Sequence, residues 1–140
     1  MTDIPVEDEV WTVHEQVVAG APPRSYPLAV YAGDYWSRTF TFTATGTGTA
    51  LDMSGTHVAQ IRRTAQGELV AAFTVDTTDA AGGVVTLTLP PAVSQAVAAA
   101  DPSPARELAY VWDWQITRPS GETATVLRGP LTLVRDVTRP

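Results

Sequence analysis

The ten residues Leu108-Ala109-Tyr110-Val111-Trp112-Asp113-Trp114-Gln115-Ile116-Thr117 decide the fold. Tyr110, Trp112, Trp114 and Ile116 fall on one side of a two-residue period, with Val111, Asp113, Gln115 and Thr117 on the other. A strand sends successive side chains to opposite faces, so this stretch reads as a strand with one buried aromatic face and one wet face. Each such ring can remove about 150–250 Å² from water, which places the stripe at the centre of a core. An aromatic stripe can also stack sugars or bases, but alternation this clean favours burial. The same rhythm recurs over residues 35–43. Trp36, Arg38, Phe40 and Phe42 share one face there, and Ser37, Thr39, Thr41 and Thr43 the other. Arg38 interrupts the apolar face and is expected at its rim, stem packed and guanidinium in water.

Outward from these two strands, the chain supplies more of the same. Twenty of the 140 residues are Thr, many alternating with apolar residues, and a β-branched side chain suits a half-solvated pleated surface. Leu28 to Tyr31 reads as a short strand before a Gly33-Asp34 turn. Thr45 to Thr49 is a loop without the Lys or the following helix of a phosphate cradle. Leu51 to Gly55 is a turn. His57 to Thr64 is a strand with Ala59 and Ile61 inward, linked through Ala65-Gln66-Gly67 to a second strand, Glu68 to Asp76. Leu69, Ala71, Phe73 and Val75 share one face of that second strand. Val84 to Leu89 is a further strand with Val85, Leu87 and Leu89 inward.

Pro90 to Ala100 is the one helical candidate. Pro stands at its start, and Val93, Ala96, Val97 and Ala100 form a helical stripe expected to bridge the two sheets. Asp101-Pro102-Ser103-Pro104 stops it. Arg118 to Glu122 is a turn. Thr123 to Val137 is the last strand, with a bulge expected at Gly129-Pro130. Pro130 has no N–H for a ladder, so the strand is expected at a sheet edge there.

Together these segments specify an all-β protein: an immunoglobulin-like antiparallel β-sandwich of about seven to eight strands, with one short helix and an extended N-terminal arm. Residues 1–27 form the arm and residues 28–140 the sandwich. The arm opens acidic (Glu7-Asp8-Glu9) and closes at Pro22-Pro23, which rejects helix. It folds back as an edge strand of its own domain, or it lies on a neighbouring subunit by strand addition. Trp11, Val13, Val17 and Tyr26 are the candidate protein-contact residues.

The composition excludes much else. Nine basic residues, all Arg, stand against fifteen acidic ones, a net charge of −6. No basic cluster exceeds Arg62-Arg63, so neither a nucleic acid nor an anionic membrane surface is expected as a partner. No apolar run approaches the ~20 residues of a membrane span. The first residues lack the basic start and apolar stretch of a signal peptide. With no Cys, the chain has no disulfide, thiolate metal ligand or thiol nucleophile. Its two histidines, His14 and His57, are expected as exposed polar residues. Asp34, Asp52, Asp76, Asp79 and Asp113 are the carboxylates available for acid–base work, but most belong to turns, where Asp is expected for local hydrogen bonds. Asp76 and Asp79 lack the dense spacing of a calcium loop. No nucleophile elbow, zinc-protease or P-loop motif occurs. No catalytic residue, cofactor or metal ligand is therefore assigned, and the chain is expected not to be an enzyme.

An ordered set of pieces carries a resemblance. These are Ala32-Gly33-Asp34 through Phe40-Thr41-Phe42, then Leu51-Asp52-Met53-Ser54-Gly55 leading into Val58-Ala59-Gln60-Ile61-Arg62. Val84 to Leu89 with its short helix follows, then Tyr110-Val111-Trp112-Asp113-Trp114-Gln115, and finally Leu127-Arg128-Gly129 and Val134-Arg135-Asp136-Val137-Thr138. Over about Leu28 to Arg139 the chain resembles the LtfC-like β-sandwich domains of tailed-bacteriophage minor tail proteins and the related N-terminal domain of baseplate upper proteins. The resemblance implies a non-enzymatic structural component of a virion, made in the host cytoplasm and placed in a tail, tail tip or baseplate. Its implied partners are other virion proteins and copies of itself. The alternatives are a capsid decoration protein and a module for host-surface glycan, for which Tyr31, Tyr35 and Trp36 are the nearest aromatic candidates.

Overall fold

The computed structural model describes residues 9–13, 24–43 and 49–135, with side chains in 25–43 and 49–135. The elements in chain order are β1 (Glu9–Val13), β2 (Arg24–Ser25), β3 (Leu28–Tyr31), β4 (Trp36–Phe42), β5 (Thr56–Arg62), β6 (Leu69–Ala72), β7 (Thr74–Asp76), β8 (Val84–Leu89), α1 (Pro91–Ala100), β9 (Glu107–Thr117) and β10 (Thr123–Val134). One sheet has the order β1-β4-β8-β7; the other has the order β2-β10-β9-β5-β6, with β3 also paired to β10. This is the all-β sandwich with one α-helix that the alternation specifies, but its sheets are mixed rather than antiparallel throughout: β1 runs parallel to β4, and β2 and β3 run parallel to β10. Two short strands before β4 and a division of the Glu68–Asp76 run raise the strand number above the expected seven or eight.

The aromatic stripes meet between the sheets. Trp112 and Trp114 from β9 and Phe40 and Phe42 from β4 are all fully buried. Trp114 packs edge-on against Phe40 at 5.2 Å and Phe42 at 5.5 Å between ring centroids, the arrangement that ring quadrupoles favour. Buried indoles need acceptors. Trp112 Nε1–H donates to the Tyr26 carbonyl at 2.8 Å, and Trp114 Nε1–H to His57 Nδ1 at 2.9 Å. Trp36 Nε1 is buried without a partner.

Six local expectations are corrected. The run from Glu68 to Asp76 is two strands. The chain leaves the β5 ladder at Phe73 and enters the opposite sheet beside β8. Phe73 N–H still donates to Ala59 O at 2.9 Å, while its ring wedges between Trp36 (5.4 Å) and Trp112 (5.8 Å). Inward and outward alternation continues through the crossing, so no break in the sequence betrays it.

The bulge in β10 lies between Thr125 and Leu127, and Gly129-Pro130 stays in register with Trp112 and Val111. Pro130 is not at an edge, because β2 and β3 flank β10 on the side away from β9. It is tolerated because that flank breaks at Tyr26-Pro27, opposite Gly129-Pro130, so no ladder hydrogen bond is required there. Gly129 is there for close approach: a Cβ would stand 2.8 Å from the Tyr26 carbonyl oxygen.

The helix is turned relative to its predicted stripe. Ser94, Val97 and Ala98 are buried, whereas Ala96 and Ala100 are exposed. Ser94 explains the rotation, since its hydroxyl accepts the Gly33 N–H at 2.9 Å and ties the helix to the turn before β4.

Arg38 does not hold its head in water. Its guanidinium donates to the Tyr26 hydroxyl at 2.9 Å and lies 5.4 Å from the Trp36 ring centroid. A phenol at the rim supplies the acceptor that water would otherwise provide. His57 is half-buried rather than exposed, held between Trp114 and the Met53 carbonyl, which its Nε2 reaches at 2.7 Å.

Candidate functional site

Of the four candidate contact residues, Tyr26 is described with its side chain, and Trp11 and Val13 by their backbone. Trp11 and Val13 lie on β1, which runs parallel to β4 with Trp11 opposite Phe40 and Val13 opposite Phe42. The N-terminal strand thus extends a sheet of its own chain by main-chain pairing. Val17 lies outside the described residues. Tyr26 is a core residue, 8% exposed. Its ring meets Phe40 edge-on at 5.5 Å, its hydroxyl takes the Arg38 bond, and its carbonyl takes the Trp112 bond. A side chain engaged on all these sides is unavailable as a dock. No signal in the sequence separates Tyr26 from the arm, because its partners lie 12 and 86 residues away.

Among the described residues, the large apolar side chains left in water are Tyr31, Tyr35, Val58 and Leu69. Tyr31 and Tyr35 are 54% and 49% exposed and flank the Gly33-Asp34 turn, where Asp34 N–H donates to the Tyr31 carbonyl at 3.0 Å. Trp36, grouped with them as a glycan candidate, is buried. Leu69 borders a groove between the free edge of β6 and α1, lined also by Val93, Ala96 and Ala100. Strands β7 and β6 each end a sheet. Open edges of this kind present unpaired backbone groups to another chain.

Two polar clusters carry perturbed protonation, and both have a structural explanation. The Asp101 carboxylate accepts the Tyr110 hydroxyl at 2.6 Å, the Ser103 N–H at 2.9 Å and an Arg63 guanidinium N–H at 3.2 Å. The Tyr110 bond, with the others behind it, holds Asp101 down at about 2. Burial and the adjoining carboxylate push the Tyr110 phenol up to about 12. Arg135 completes this corner by donating to the carbonyls of Ser103, Ala105, Ala98 and Asp101, which closes the helix C-terminus and its following loop. In the second cluster, burial lowers the pKa of His57 below its ordinary value, and the Arg118 charge adds to that. Since Nδ1 accepts the indole proton, Nε2 carries the ring proton and donates to Met53.

Asp52 and Asp76 behave as turn residues, accepting the Ser54 and Thr78 N–H groups respectively. Asp113 instead stands in mid-strand on the outer face of β9, opposite Gln60 and Arg128. His14 lies outside the described residues. Among the described residues, no group of three or more His, Cys, Asp or Glu is placed to hold a metal ion. No described helix is long and apolar enough to cross a membrane.

The fold defines an all-β sandwich domain in which, among the described residues, β6 and β7 end their sheets. No protein-family model matches the sequence, and no curated protein matches it. Among solved structures, the chain is similar to the N-terminal domain of phage TP901-1 ORF48, with a TM-score of 0.40 and 10% identity across 92% of this chain and 98% of that one. It is also similar to the bradyzoite-specific antigen BSR4 of Toxoplasma gondii, with a TM-score of 0.34 and 15% identity across 96% of this chain and 50% of that one.

Proposed function

We propose that the chain is a non-enzymatic structural subunit of a bacteriophage virion, built into the tail, tail tip or baseplate. It acts through assembly contacts with other virion proteins and with copies of itself. The observation that carries this reading is that β6 and β7 end their sheets with no further strand among the described residues, while β1 covers the β4 edge of its own chain. Strand addition to such an edge couples chains through backbone bonds that any partner can supply, with side chains setting the register. The ordered sequence pieces that resemble tail and baseplate domains add support, since they fall in sequence on β4, β5, β8 with α1, β9 and β10. The net charge of −6 keeps the free subunit soluble and disfavours contact with packaged DNA.

Incorporation is the test. The full chain and a variant lacking residues 1–13 are supplied to a phage whose own copy is deleted, and purified particles are examined by mass spectrometry and cryo-electron microscopy. The full chain is expected at the tail or baseplate, and retention of the truncated one shows that β1 is not the dock. Absence of the full chain from particles refutes a virion role, and density on the head selects capsid decoration instead. Exposure of Tyr31 and Tyr35 favours host-glycan binding as a second reading. A glycan array that gives no signal dependent on these two tyrosines disposes of it.

A further inference from the structure

The outer face of the β2-β10-β9-β5-β6 sheet holds a concavity of about 440 Å³, lined by Ser25, Arg62, Val111, Asp113, Arg128 and Pro130 among others. That size lies within the ~300–1,000 Å³ of small-molecule sites. Its walls follow from register. Gln60 of β5, Asp113 of β9, Arg128 of β10 and Ser25 of β2 form one cross-strand row. Arg62, Val111 and Pro130 form the next outward row on β5, β9 and β10. Short side chains in the second row leave the hollow, and Val111 with Pro130 gives it an apolar floor.

The charges are arranged about that floor. With strands ~4.8 Å apart and a rise of ~3.3 Å per residue, Arg62 and Arg128 stand about 12 Å apart at Cα, two strands and two residues removed. Both arginines line the same hollow from opposite sides. Arg62 is held at the wall of the hollow, where its guanidinium donates to Gln60 Oε1 at 2.8 Å and to Gly67 O at 3.1 Å. Arg128 is exposed, and its side chain makes no hydrogen bond or ion pair among the described residues. In a chain with nine cations against fifteen anions, two arginines converging on one hollow are a local reversal of sign.

We propose that this hollow binds a carboxylate-bearing sugar. The carboxylate lies between the Arg62 and Arg128 guanidiniums, whose planar forks match its two oxygens. The ring covers Val111 and Pro130. Asp113 and Ser25 accept and donate hydrogen bonds to ring hydroxyls, which a bare inorganic anion does not offer. Asp113 is thus the specificity-determining residue: it repels a simple anion and rewards a polyol.

The test uses the full chain, with trigalacturonate as the probe, neutral galactotriose and sulfate as comparisons, and titration calorimetry with NMR shift mapping as readouts. Trigalacturonate is expected to saturate and to shift Val111, Asp113 and Arg128 amides, while galactotriose binds at least about tenfold more weakly. Arg128→Gln, a change at an exposed site, is expected to weaken trigalacturonate by about tenfold with an unchanged melting temperature. Asp113→Asn is expected to weaken the sugar acid but to strengthen sulfate. Failure of trigalacturonate to saturate overturns the proposal, as does binding indifferent to Arg128→Gln. Sulfate competing on equal terms, or Asp113→Asn tightening both ligands, identifies a plain anion site and overturns the sugar assignment.

Discussion

Replacing Gly129 by Ala tests whether that glycine serves close packing. An ideal Cβ there lies 2.8 Å from the Tyr26 carbonyl oxygen and 3.0 Å from both its carbonyl carbon and its nitrogen. All three are backbone atoms, so no rotamer change relieves them. Ordinary contact begins near 3.4 Å, so the β2–β3 corner must retreat by roughly half an ångström. The retreat stretches two short bonds, Tyr26 N–H to Arg128 O at 2.7 Å and Trp112 Nε1–H to Tyr26 O at 2.8 Å. Overpacking costs about 1–3 kcal/mol, and each weakened bond adds about 0.5–1.5 kcal/mol. Loss of glycine's freedom in the unfolded chain returns about 0.4–1 kcal/mol, since Gly129 does not have a positive φ. The net expectation is about 3 kcal/mol of destabilisation. In urea, with a slope near 2 kcal/mol/M, the midpoint drops by about 1.5 M, followed by tryptophan fluorescence because Trp112 loses its acceptor. Gly82→Ala, where a Cβ meets nothing within 4 Å, is the matched control and is expected neutral or slightly stabilising. If Gly129→Ala matches the control, the close approach is absent and the explanation of the β10 register fails.

Further outcomes follow from other residues. Trp36→Phe removes a buried N–H that has no acceptor, so its cost should stay under about 1.5 kcal/mol in chemical denaturation, whereas Trp112→Phe orphans the Tyr26 carbonyl and should cost more. His57 has a lowered pKa in the fold, so the unfolded chain takes up the proton first. Its contribution is complete above about pH 6.5 and declines as pH falls from there through the folded value; melting curves across pH 4–8 should show that slope, and His57→Gln should flatten it. Tyr110 should titrate spectrophotometrically near 12 rather than 10. Since its folded pKa is raised, its contribution is complete below pH 10 and is lost as pH rises through about 12; Asp101→Asn should bring the titration back toward 10. Deleting residues 1–23 should leave a cooperative fold. Deleting residues 1–27 removes Tyr26 as well and should cost about 3–5 kcal/mol more in the same urea titration.

The sandwich was legible because burial in a sheet is written with a period of two, and Tyr110 to Ile116 and Trp36 to Phe42 carry that period without interruption. What periodicity cannot state is which sheet a strand joins. Phe73 keeps its inward phase on both sides of the crossing, so one run of alternation hides two strands. Pro130 is hidden from the sequence for a related reason. A proline signals a missing donor, but only the pairing of β10 with two separate short strands reveals that no donor is needed there. Likewise, the helix stripe was counted from apolar residues alone, and Ser94 turned the helix because a hydroxyl was needed at Gly33. The candidate surfaces were less legible still. Trp11 and Val13 stand out by residue type, but Arg62, Asp113 and Arg128 become neighbours only through the register of three strands.

The crossing at Phe73 also governs how the molecule responds to load. A chain that passes from one layer to the other within a single peptide step works as a stitch between them. Neither layer can peel away while the other stays intact, because the β6–β7 segment would have to be pulled out of both at once. Separating the two sheets at this corner breaks the β5–β6 and β7–β8 ladders together.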